Sequence, residues 1–190
     1  MKKKVDAKKL ESLGRELLLA IGEDPKREGI QDTPRRWAKW WGEFIDYDPG
    51  KVGTAFQQVR ADQMVVVSGM RVWSLCEHHL LPFYCDVSVG YITAGKVLGL
   101  SKFARLAHKH AHSLQVQERL VHQLAQDIQR LAGTEDVAVL ARGEHLCMTM
   151  RGVRTPGVMV SSVMQGQFRD HHEVRNEFLT AVRLADTTQR

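Results

Sequence analysis

Cys76 and His79 stand three positions apart in the run Cys76-Glu77-His78-His79, and a second thiol follows at Cys147 in His145-Leu146-Cys147. Thiolate and imidazole are the ligands zinc prefers; the ion takes four protein ligands in structural sites, but three and a water where it does chemistry. Cys76, His79 and Cys147 supply three. Cys-x-x-His is the spacing with which a tight turn at a strand end aims two side chains at one ion, so His78 between them is expected to point elsewhere and stay free for proton transfer. Zinc lowers the pKa of a bound water from about 15.7 to about 7, which makes an open zinc site the site of an enzyme. The competing reading is a closed structural site with Cys85 as fourth ligand, although Cys85 falls in an alternating strand, where a buried, inert thiol is common.

The elements that must position these residues follow from periodicity. Side chains two apart share a face of a strand, so a strand over 136–151 places His145, Cys147, Thr149 and Arg151 together and Leu146, Met148 and Met150 opposite. The first of those faces reads as the wall of a site. Two more strands are expected at Met64 to Cys76 and Tyr84 to Thr93, and another at about Val158 to Gln165. Helices are expected at Ser101 to Ser113, at Gln117 to Ala132 with Gly133 as its stop, and at Glu173 to Ala185. Ahead of them, Leu10, Leu13, Leu17, Ala20 and Ile21 recur at helical spacing up to Gly22. Thr33-Pro34 reads as N-cap and first position of a helix carrying Trp37, Trp40, Trp41 and Phe44, aromatics whose ordinary use is packing. The order is β-β-α-α-β-β preceded by helices, an α+β fold. Residues 1–60 form a helical extension and 61–190 the catalytic domain.

A chain of 190 residues with 43% hydrophobic content can bury one sizeable core. No stretch approaches the ~20 apolar residues of a membrane span. The basic start Met1 to Lys4, continued by Val5-Asp6-Ala7-Lys8-Lys9, lacks the apolar core of a secretion signal, which predicts a cytoplasmic protein. Three cysteines, an odd number, argue for thiolate chemistry over a disulfide framework. The formal net charge of +5 is either a solvated basic surface or the counterpart of an anionic ligand. Nucleic acid is disfavoured, because no zinc-finger spacing, homeodomain pattern or Arg-rich tract accompanies the charge.

Four runs carry a family resemblance: Cys76-Glu77-His78-His79-Leu80-Leu81-Pro82-Phe83; Gly99-Leu100-Ser101-Lys102-Phe103-Ala104-Arg105; Leu114-Gln115-Val116-Gln117-Glu118-Arg119-Leu120; and His145 through Val153. In this order they closely resemble GTP cyclohydrolase I, and the likeness extends from about Asp32-Thr33-Pro34-Arg35-Arg36 to Glu177-Phe178-Leu179. The resemblance implies opening of the guanine imidazole ring of GTP, release of C8 as formate and reclosure to 7,8-dihydroneopterin triphosphate. It also implies the tunnelling fold, in which antiparallel sheets of several subunits join into a barrel, and decamers of two pentamers with active sites between subunits.

Residue by residue, the resemblance makes Cys76, His79 and Cys147 the zinc ligands, His145 the proton donor to the purine and His78 the assistant in a later transfer. Glu118, with Gln117 beside it, matches the family's carboxylate for guanine; taken alone, Glu118 is an acidic residue favoured near a helix N-terminus by the macrodipole. Lys102, Arg105 and Arg151 match its phosphate contacts, and Arg36 reaches in from another subunit. Ser101 lies by the ribose in the family, though a helix N-cap would also explain it. One stretch departs: the family's Thr-x-Thr-Ser run after Pro-Gly reads here Pro156-Gly157-Val158-Met159-Val160-Ser161-Ser162, without the first Thr. Two other functions would fit a zinc site on this fold, a zinc hydrolase or deaminase acting on another purine or pterin and a non-catalytic module whose zinc is structural. The His-x-Glu and Pro-Cys-x-x-Cys signature of a deaminase is absent here, and the module needs a fourth protein ligand.

Overall fold

The structure, a computed structural model, describes residues 4–57 and 62–188; residues 1–3 of the basic start and the expected domain boundary at 60/61 lie outside the described residues. The chain forms two compact units, Met1–Asp48 and Pro49–Arg190.

The first unit is a helix pair. α1 (Ala7–Ala20) is capped by the Asp6 carboxylate, which accepts from the Lys9 N–H. α2 spans Thr33–Ile45. The cap expected at Thr33 is Asp32 instead, and Thr33 and Pro34 are the first helical residues. Proline lacks an N–H and fits anywhere in a first turn, so it marks the turn without fixing the cap. The Asp32 carboxylate is turned onto Arg35 and Arg36, 3.4 Å from each. Gly14 permits the helices to touch, since a Cβ there would sit 3.1 Å from the Trp37 ring and 3.2 Å from Pro34 Cα. Within α2, Trp40 packs edge-on to Trp41 at 4.8 Å and stacks on Phe44 at 5.9 Å, while Trp37 is the aromatic set against Gly14 of α1.

The second unit is built on a five-stranded sheet: β2 (Met64–Cys76), β3 (Pro82–Ile92), β5 (Leu114–Gln115), β6 (Val137–His145) and β7 (Met159–Met164), in the order β5-β2-β3-β6-β7. All neighbours are antiparallel except the short β5, which runs parallel to the end of β2. β1 (Ala55–Gln57) and β4 (Lys96–Leu98) pair separately. Between β4 and β7 in sequence lie α3 (Leu100–Ala111), α4 (Gln117–Ala132) and α5 (Leu146–Thr149), with α6 (Gln167–Asp170) and α7 (His172–Thr188) at the end. The long elements follow the order β-β-α-α-β-β of an α+β tunnelling fold. α4 ends where expected, with Gly133 in the left-handed region at φ 69°.

One sheet face, carrying Val72, Phe83, Cys85, Val87, Val89, Val139 and Ala141, packs on Phe103 and Leu106 of α3 and Leu120, Leu124 and Ile128 of α4 to form the main core. Each such fully buried aliphatic or aromatic side chain stabilises by about 1.5–3 kcal/mol. α3 and α4 are also tied by Asp127, which accepts from Lys109 at 2.6 Å, His110 at 2.9 Å and Arg130 at 2.7 Å. Burial opposes the charge of Asp127, but these three donors outweigh it and bring its carboxyl down to about 2. On the opposite face Phe168 and Phe178 cover Ile92 and Ala138, and Gly90 gives Phe178 its room. The remainder of that face bears Arg71–Asp86, Tyr84–Glu144 and Arg142–Asp186 pairs around a cleft of about 550 Å³.

The strand expected over 136–151 stops at His145. Its partner β3 begins at Pro82, one residue before the Phe83↔His145 pair, and pairing with β7 ends at Gly143↔Met159. Beyond that point no strand among the described residues pairs with the chain, and Leu146–Thr149 forms a helical turn, with Met150 N–H donating to Leu146 O at 3.0 Å. The alternation that joined His145, Cys147, Thr149 and Arg151 on one face therefore does not hold past His145.

Candidate metal centre and active site

β2 delivers Cys76 to a tight turn: Cys76 O accepts from His79 N–H at 3.3 Å and Leu80 N–H at 2.9 Å, and Cys76 N–H returns to Leu81 O at 2.9 Å. Leu80 holds φ 55°, a left-handed conformation that costs a branched residue about 1–2 kcal/mol and that the surrounding turn imposes. The turn gathers Cys76, His78 and His79, whose ligand atoms lie within 4.8 Å of one another. His79 Nδ1 is 3.6 Å from Cys76 Sγ and His78 Nδ1 is 3.8 Å. His78 thus does not point away, as the spacing predicted; the turn is tight enough to bring both rings to the thiol, crossed at 86° with centroids 6.2 Å apart.

α5 brings the second thiol. Cys147 is partly buried against the main core, on the same side as Cys76, whose thiol acts on it electrostatically. Burial and then the neighbouring Cys76 push its pKa up. Thiols and imidazoles, here Cys76, His78 and His79 on the turn and Cys147 on the short helix beside it, are donor types that suit zinc, of which three would leave a position open for water. Cys85 is elsewhere: it is fully buried in the core on β3, and burial pushes its thiol up to about 12.

His145 lies at the end of β6, stacked on Phe83 with ring centroids 4.5 Å apart and planes 7° from parallel. Its Nε2 is 3.0 Å from Gln117 Oε1. Gln117 is fully buried, and its Nε2 faces Ala141 O at 3.1 Å, Met159 O at 3.2 Å and Ser161 Oγ at 3.0 Å. Those acceptors occupy the amide protons, so Oε1 can only accept and His145 Nε2 must donate. The free nitrogen of His145 is Nδ1. Burial lowers the His145 pKa, and the carboxylate of Glu118, exposed in the first turn of α4, partly offsets this. Phe83 and Gln117 in these roles were not apparent in the sequence, because both depend on the β3–β6 register.

Gly143 makes room for that amide: a Cβ there would meet Gln117 Oε1 at 2.5 Å and Tyr84 O at 2.6 Å. Gly143→Ala is therefore expected to destabilise the fold by about 1–3 kcal/mol, through displacement of buried neighbours, in a denaturant titration. An unchanged midpoint would mean that the amide is not held as described.

The cations expected at phosphate lie apart from these groups or on neighbouring surfaces. Lys102, largely buried, donates to Lys51 O at 2.7 Å, and Arg105 donates to Pro49 O at 2.6 Å. Ser101 is exposed in the first turn of α3; the N-cap is Gly99, so Ser101 is not the cap. Arg151 is exposed just after α5, and its charge acts on Cys147. Arg36 belongs to the first unit, where it pairs with Asp32. The residues the structure brings together are Cys76, His78 and His79, with Cys147 acting on Cys76, and separately Gln117, Glu118 and His145.

Among the described residues no helix is long and apolar enough to cross a membrane. A family model described as GTP cyclohydrolase I matches residues 10–183. The GTP cyclohydrolase 1 of Hyperthermus butylicus is 44% identical over 174 residues, covering 91% of this chain and 89% of that protein. That of Deinococcus radiodurans is 45% identical over 179 residues, covering 91% and 82%. GTP cyclohydrolase 1 1 of Pseudomonas aeruginosa is 44% identical over 174 residues, covering 88% and 93%. With a match over most of its length to both the family and its individual members, the chain belongs to the GTP cyclohydrolase I family.

Proposed function

We propose that this enzyme converts GTP and water to 7,8-dihydroneopterin triphosphate and formate, the entry to tetrahydrofolate, other pterins or deazapurines. The observation that carries the reading is the gathering of Cys76, His78 and His79 at one turn, with Cys147 acting on Cys76 from α5, in a chain of this family. Cys76, His79 and Cys147 would hold zinc, His79 Nδ1 being the nearer imidazole nitrogen to Cys76. When bound, zinc supplies a water of lowered pKa, about 7, for addition to the electron-poor C8 of the purine.

The protein's own groups do the rest. His145, held through Nε2 by Gln117, donates a proton from Nδ1 in its cationic form, and its lowered pKa makes that proton easy to give. His78, mostly exposed, serves the later transfers of ring opening. Glu118 accepts the guanine N1–H and amine, a pairing adenine cannot match, with Gln117 supporting the site from beneath. Lys102, Arg105 and Arg151 bind the triphosphate; the single carbonyl contacts of Lys102 and Arg105 leave further N–H donors on each. Arg36 joins them from a neighbouring subunit, and Ser101 contacts the ribose. The working form in this reading is a cytoplasmic decamer of two pentamers with sites between subunits, residues 1–60 forming an extension of the catalytic domain at 61–190.

Incubation of the purified protein with GTP is expected to yield formate and a product that becomes fluorescent neopterin on oxidation. GTP left intact while another purine loses its amine would replace this reading with a zinc deaminase.

A further inference from the structure

We propose that Arg119 is a positioning residue that fixes the metal-binding turn to the start of α4 and thereby sets the distance between the metal and the guanine-recognising Glu118; this rests on the functional reading above. The Arg119 guanidinium joins three elements. Its Nε donates to Gln115 Oε1 at 2.6 Å, and one terminal nitrogen donates to Leu114 O at 3.0 Å and to the carboxylate of Glu77, the residue between Cys76 and His78.

Gln115 is a firm anchor for this link. It is fully buried, its Nε2 donates to His110 O at 3.1 Å and to Gln123 Oε1 at 3.0 Å, and its Oε1 also accepts from Val116 N–H at 3.1 Å. The end of α3, the first two turns of α4 and β5 therefore converge on one amide. β5 in turn lies beside the metal turn, with Cys76 paired to Gln115 and Glu77 N–H donating to Gln115 O at 3.1 Å. Glu118 precedes Arg119 directly in the first turn of α4.

Magnitudes separate positioning from stabilisation here. The Glu77 and Arg119 side chains are 33% and 40% exposed, and solvent-screened pairs of that kind contribute little to folding. A displacement of about 1 Å at a reacting centre, by contrast, can cost 10²-fold in rate. The backbone bonds between the turn and β5 survive loss of the guanidinium, so the turn keeps its shape while its placement relaxes.

The test compares zinc-loaded wild type with Arg119→Ala, Arg119→Lys and Glu77→Gln. In Arg119→Ala the zinc affinity, read by competition with a chromophoric chelator, should weaken about ten-fold. Its kcat for GTP should fall at least about ten-fold while KM stays within about three-fold, because the phosphate and base contacts are untouched. Arg119→Lys should recover part of both losses, since a single ammonium reaches Glu77 without keeping the Gln115 and Leu114 bonds. Zinc affinity and kcat both within about two-fold of wild type in Arg119→Ala would overturn the proposal, as would a joint loss of kcat, KM and melting temperature. Should Arg119→Ala not fold, Glu77→Gln decides: weaker zinc binding supports the link, and unchanged zinc binding overturns it. If the wild type does not turn over GTP, the functional reading fails, and the zinc affinities still decide the positioning.

Discussion

His145→Ala is expected to keep its zinc and bind GTP, yet turn over about 10²–10⁴-fold more slowly, the loss typical of a general acid. The size of the effect follows from how rigidly the ring is held. Its plane lies on Phe83 and its Nε2 is held by Gln117, so in the proposed role Nδ1 is the nitrogen that would transfer the proton. Removing the ring leaves Gln117 Oε1 without its donor, which costs about 1–3 kcal/mol of stability but does not touch a sulfur ligand. Single-turnover rates alongside equilibrium binding of GTP separate chemistry from affinity. A fully active variant would assign the proton to His78 or to water.

Loss of metal is the second large effect. Cys76→Ala and Cys147→Ala are each expected to lose bound zinc, and turnover with it, whereas Cys85→Ala should retain about one zinc per subunit. The two groups of cysteine differ physically. Cys76 lies beside two imidazoles and acts electrostatically on Cys147, so a dication there would exchange the repulsion of two thiolates for attraction to a common centre. Cys85, with its pKa pushed up to about 12, stays a thiol inside the core, and a thiol is a poor ligand. Metal analysis of the three purified variants reads the outcome directly. Zinc lost from Cys85→Ala would restore the closed structural site as the better reading.

Much of the framework was legible in the sequence because local rules governed it. β2 at Met64–Cys76 and α4 at Gln117–Ala132 coincide with the expected spans, the one bounded by its turn and the other by Gly133 in a conformation glycine adopts freely. The stretch after His145 was not legible for the opposite reason. Alternation there continued on paper, but a strand persists only while it has a neighbour, and the neighbour is set by where Pro82 starts β3. The site divides the same way. Cys76, His78 and His79 are adjacent in sequence and their gathering is a local event, although the tightness of the turn, with Leu80 left-handed, brought His78 to the thiol when simple spacing pointed it away. Gln117 holding His145 and Arg119 reaching Glu77 each need two distant segments in register, and composition carries no trace of that.

The pairing of Phe83 with His145 is the last rung of the β3–β6 ladder. Ladders open from their ends, so the imidazole stands where the sheet's own cohesion is weakest, and brief fraying there would disarm the enzyme without unfolding it. Cys76 and Cys147 flank that rung, one on the turn that leads into β3 and the other on the helix that leaves β6. An ion bridging them would act as a clasp on the loose end of the sheet, making the metal a source of local rigidity in addition to its chemistry. Occupancy and active-site order would then rise and fall together, and an enzyme starved of zinc would lose the alignment of its acid along with its activated water.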